Sequence, residues 1–149
     1  MFSSASRGRR FLAYLIDAII VGLVVGGIFW LIGFDKVFSD YVSNSRDISG
    51  KIEFLGWKNK LNWSSFLVYC IYCSVMEGSK LQATLGKRIM GIRVIKDDGE
   101  DLTMATSLIR NMFKIISYIP CSLGFIWILF SSEKKGWHDY IAKTVVIDD

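Results

Sequence analysis

Apolar residues in this chain are gathered into three long blocks, not spread in the narrow stripe of a soluble amphipathic helix. The first block, 11–34, is interrupted by a charge only at Asp17. About 20 residues at 1.5 Å rise cross a hydrocarbon core of about 30 Å, so this block predicts a spanning helix. A second span is predicted over 61–79, with Trp63 near one border and Glu77 near the other. The third block, 104–130, carries Arg110, Asn111 and Lys114 early on, and Pro120 and Gly124 break it into pieces of about 15 and about 10 residues. It either crosses the bilayer or dips in and returns.

The stretches between the blocks are polar. Residues 35–60 mix both charges and include Gly50 and Gly56 as turn formers, which predicts an external loop. Residues 80–96 are rich in Lys and Arg, as expected of a cytoplasmic loop beside a membrane. Within them, β-branched residues over 89–95 predict a short strand, and Asp97-Asp98-Gly99-Glu100 a turn. Thr103 suits a helix N-cap. The tail at 143–148 is strand-like and too short to stand alone, so 89–95 is its natural partner. Pairing of the two would keep the tail on the cytoplasmic side and make the third block re-entrant; otherwise the tail is external.

Arg7, Arg9 and Arg10 precede the first block and imitate the start of a signal peptide, but the run is long, holds an acid and lacks a small-residue cleavage site. An uncleaved anchor is expected, with the N-terminus cytoplasmic and Trp30 at the far interface. The fold class is therefore an all-α membrane protein of one domain, 1–149. It has two full transmembrane helices, a third Pro/Gly-broken apolar helix that spans or re-enters, and a small cytoplasmic β-pair of 89–95 with 143–148.

Composition supports a lipid solvent: the 149 residues are 52% hydrophobic, with a mean hydropathy of +0.36. The net charge of +4 clusters beside apolar blocks, which fits anionic lipid head groups and not the continuous basic face that nucleic acid requires. Cys70, Cys73 and Cys121 lie in apolar segments, where a thiol behaves as a small hydrophobe. The CxxC spacing of Cys70 and Cys73 has no second pair to complete a zinc or redox site. His138 is the only histidine and has no partners at ligand spacing. Phosphate loops, hydrolase triads and metalloprotease helices are all absent, so neither enzyme activity nor a metal or cofactor is expected.

Asp17 lies about two turns into the first span, where an unpaired carboxylate costs several kcal/mol. Arg10, seven positions earlier, falls on the same helical face and is the predicted partner. That acid either pins helices together or couples to a proton or cation. Glu77 and Arg110 join the expected polar cluster at the cytoplasmic end, while Lys87 and Lys114 are expected to snorkel into water. Gly22 and Gly26 form a GxxxG spacing on the opposite face, suited to close packing within the chain or against a second copy.

These residues resemble the RDD family of small membrane proteins, named for an arginine and two aspartates. Arg10 to Asp17 is similar to its opening arginine and first aspartate, and Glu77 to its acidic residue. The segment Thr84-Leu-Gly86-Lys87-Arg-Ile-Met-Gly91-Ile-Arg-Val94 resembles its TxGKxxxGxxV motif, and Trp137-His138-Asp139 its closing WHD. Lys143 stands where glycine is usual, which predicts a looser turn before the last strand. The resemblance implies an integral protein of the bacterial cytoplasmic membrane. It implies transport of a small ligand, including monovalent cation exchange against protons for some members, or alternatively an accessory or scaffold role in a membrane protein complex. Expected partners are the lipid bilayer, a second copy through Gly22 and Gly26, and a membrane protein partner.

Overall fold

A computed structural model describes residues 4–44, 47–118 and 137–149. They form two compact units, Met1–Asp17 with Cys70–Asp149, and Ala18–Tyr69. Helix α1 (Arg7–Phe29) runs through one π-helical turn, Trp30–Phe34, into α2 (Asp35–Ser43). The chain bends at Gly33, whose φ of 103° suits a residue without a Cβ. Among the described residues this stretch, Arg7–Ser43, is the one helix long and apolar enough to cross a membrane.

Helix α3 (Ile48–Glu77) is 30 residues long and contains the predicted second span, 61–79, up to Glu77. It also contains Gly50 and Gly56, so the external loop predicted for 35–60 is corrected: most of that stretch is helical. The reason is aromatic packing at helical spacing. Phe34, Phe38 and Tyr41 meet Phe54, with Tyr41 stacked on it at 4.2 Å between ring centres, and Phe29 and Phe34 meet Trp57. Lys36, Lys51 and Lys58 stay exposed, so the charges that resembled a loop belong to solvated helix faces.

The other unit centres on a sheet. A short helix, α4 (Leu85–Ile89), leads into β1 (Ile92–Lys96), which pairs antiparallel with β2 (Thr144–Asp148), Val94 opposite Val146. The strand predicted from 89 begins three residues later because 89 closes α4. Between the strands lie α5 (Met104–Tyr118) and α6 (Trp137–Ile141). Thr103 caps α5, its hydroxyl accepting from the Thr106 amide.

Two strands alone are marginal, and this pair is buttressed along both edges. The Ala5 amide donates to the Val146 carbonyl at 3.0 Å, and the Val94 amide to the Gln82 carbonyl at 2.8 Å. Ala5, Ala13, Ile92, Val94, Leu102 and Val146 form the apolar core beneath. Pro120, Gly124 and Cys121 lie outside the described residues, and with them the choice between a spanning and a re-entrant course for 104–130.

Candidate functional site

Asp17 is buried, and its carboxylate accepts from three neutral donors. Thr84 Oγ1 donates to Oδ2 at 2.6 Å; Tyr72 Oη and the Gly86 amide donate to Oδ1, each at 2.8 Å. These donors are committed. Thr84 Oγ1 caps α4 by accepting from the Lys87 amide, and Tyr72 Oη accepts from the Leu85 amide, so each hydroxyl proton is free to point at Asp17. Glycine is required at 86: a Cβ there would strike the Ala13 carbonyl and come within 2.9 Å of Asp17 Cγ.

The predicted partner, Arg10, is elsewhere. Its guanidinium donates to the Val146 carbonyl at 2.9 Å and Ser4 Oγ at 3.1 Å, and lies 3.7 Å from Asp139 Oδ2. The helical-face argument placed Arg10 correctly on α1, but the sheet edge lies nearer its long side chain and offers a carbonyl and an acid.

Asp139 belongs to a second buried group. Arg110 donates through Nε to Asp139 Oδ1 and through Nη1 to Glu77 Oε2, each at 2.9 Å. Asn111 Nδ2 donates to the same Glu77 oxygen at 3.2 Å, and Lys87 Nζ pairs with Glu77 Oε1. The solvated position expected of Lys87 is therefore corrected: the Thr84 cap turns its side chain toward buried Glu77. Two carboxylates are thus matched by Arg110, Lys87 and Arg10, and Asp17 makes three acids against three bases. Bases on α1, α4 and α5 meet acids on α3 and α6, which ties five helices to the sheet.

Of the remaining expected residues, Gly91 adopts φ 63° where α4 turns into β1. Gly22 and Gly26 are open: a methyl at either would meet nothing within 4 Å among the described residues. Cys70 Sγ donates to the Asn111 carbonyl at 3.8 Å, and Cys73 is buried. The side chains of Lys114 and His138 lie outside the described residues. Among those described, no group of His, Cys, Asp and Glu is arranged to hold a metal ion.

Sequence reasoning missed Tyr72 and Gln82. Buried Gln82 bonds the Leu102 backbone through both ends of its amide, from a backbone φ of 50°. No spacing rule signals such a residue.

The RDD-family sequence profile matches residues 4–143. The chain belongs to the RDD family. An RDD-type relative in Bacillus subtilis (strain 168), the uncharacterized protein YxaI, is 36% identical over 93% of this chain and 93% of its own length. The uncharacterized membrane protein YteJ of the same organism is 30% identical over 94% of this chain and 78% of its own. No solved structure matches. RDD proteins are membrane-associated, in keeping with the apolar helix Arg7–Ser43.

Proposed function

We propose that this RDD protein is a non-enzymatic accessory or scaffold module of the cytoplasmic membrane, and that its buried charges fix a structural joint. The observation that carries this reading is the engagement of both Asp17 oxygens by three committed donors. A coupling carboxylate must exchange protons or ions during each cycle, and replacing donors on both oxygens would cost several hydrogen bonds to a charge each time.

A return of the chain through α3 to the side on which it began fits this reading with the N-terminus cytoplasmic. Ala5, β1 and β2 share one sheet, so the chain before α1 and the chain after α3 lie on one side. The arginines before α1 favour the cytoplasmic side.

The transport reading draws on the same cluster, because six ionisable groups at one level are what an exchanger would use. Purified protein in proteoliposomes discriminates. Under the accessory reading, sodium, potassium and proton fluxes equal those of empty vesicles, and mild-detergent pulldown yields a stoichiometric unrelated membrane protein. Cation-driven proton flux that disappears in an assembled Asp17→Asn variant would overturn it. A second copy through Gly22 and Gly26 is compatible with either role, and a Gly22→Leu variant that changes the mass of the detergent-solubilised particle would reveal it.

A further inference from the structure

Leu85 and Ile89, one turn apart on α4, are 43% and 67% exposed, and Leu81 just ahead of the helix is 40% exposed. Three large apolar side chains facing water together would be a liability in a segment this basic. The contacts of α4 show what they face. Its Gly86 amide bonds Asp17, and a Cβ at 86 would strike the Ala13 carbonyl, so α4 lies against α1 at residues 13–17. On that part of α1, Phe11, Leu12 and Leu15 are exposed, and they belong to the apolar helix that suits lipid. Gly86 turns inward against α1, while Leu85 and Ile89 stay exposed beside it.

Lys80 and Arg88 border this surface. Both are exposed, and neither forms an ion pair among the described residues. Arg88 lies one turn from Leu85, a spacing that lets its apolar stem cover the leucines while its guanidinium reaches outward. Amphipathic elements of this kind sit at the acyl–headgroup boundary, where basic residues meet lipid phosphates.

We propose that Leu81, Leu85 and Ile89 insert among the acyl chains of the leaflet beside the sheet, and that Lys80 and Arg88 bind the phosphates of anionic phospholipids there. The segment between α3 and β1 is thus part of the membrane-embedded body and selects its lipid. This rests on the membrane placement of α1, and the test separates the two.

A benzophenone amino acid is placed at position 89, at position 23 on α1 or at position 98 in the turn, and the full-length protein is irradiated in mixed phosphatidylcholine–phosphatidylglycerol vesicles. Lipid adducts read by mass spectrometry are expected at 89 and 23 and not at 98, with phosphatidylglycerol enriched at 89. Lys80→Gln with Arg88→Gln should lower that enrichment about fivefold for each charge removed while total adducts at 89 persist. Adducts at 23 without adducts at 89, or protein crosslinks at 89, would overturn the lipid surface and leave the membrane reading standing. An absence of adducts at 23 would overturn both. Adducts at 89 with no preference for the anionic lipid would overturn the roles of Lys80 and Arg88.

Discussion

The Gly86 amide donates to Asp17 Oδ1 at 2.8 Å across 69 positions of sequence, and this bond fixes α4 against α1. Replacing the carboxylate by an amide turns an acceptor into a donor. Asp17→Asn sets an N–H group against Thr84, or against Tyr72 and Gly86, and should destabilise the protein by about 2–4 kcal/mol. Thermal unfolding in detergent checks this; an unchanged midpoint would mean that the donors are not committed as described.

The same contact makes glycine 86 intolerant. Gly86→Ala forces a methyl into the Ala13 carbonyl, beyond the about 1–3 kcal/mol of ordinary overpacking, and should abolish accumulation of folded protein. Gly22→Ala is the control: its methyl meets nothing within 4 Å, and accumulation should match the parent.

Arg110 bridges Glu77 and Asp139 at 2.9 Å to each. Arg110→Met would leave both acids buried with fewer cations, at a cost of about 3–5 kcal/mol. The effects of Arg110→Met and Glu77→Gln should be strongly non-additive in unfolding measurements, since each removes the other's partner. Simple additivity would contradict the pairing.

Lys143 occupies φ 50°, the left-handed region that glycine enters freely. The turn before β2 closes with the Lys143 amide donating to the Tyr140 carbonyl at 3.3 Å, and the lysine Cβ is held in that left-handed conformation. Lys143→Gly should therefore raise stability by up to about 1 kcal/mol. A lowered melting temperature would show that the left-handed backbone is not strained here.

Asp47 caps α3, accepting from the Ser49 hydroxyl at 2.6 Å and from the Ser49 and Gly50 amides at 3.2 Å. The Ser49 hydroxyl, followed by the two amides, holds the carboxyl below its ordinary value of 3.8. A depressed folded value means that the stabilisation is complete above 3.8 and lost as the pH falls through the folded value. The melting temperatures of the parent and Asp47→Ala should differ near neutral pH and converge in acid, and a gap that stays constant as the pH falls would contradict the cap.

The sequence made the polar cluster legible in its membership and less so in its pairing. Asp17 and Glu77 stand out because a charge inside an apolar run must be explained, and 143–148 stands out because a lone strand needs a partner. Which base meets which acid depends on side-chain reach in three dimensions, so Arg10 was matched to Asp17 by helical phase when the sheet lay closer. Helix α2 was obscured because mixed charge resembles a loop, although Phe34, Phe38 and Tyr41 repeat at helical spacing. Helix α4 was hidden by its brevity, and its N-cap Thr84 was the available clue.

The hydrogen bond from Arg10 to the Val146 carbonyl joins positions 136 residues apart. At about 5–20 residues per second, a ribosome makes the acceptor roughly 7–27 s after the donor. During that interval the first helix must enter the bilayer with its arginine and aspartate lacking their final partners. Maturation is therefore a late, concerted closure, and a nascent chain stalled before residue 146 would present an unfinished sheet to the quality-control proteases of the cell.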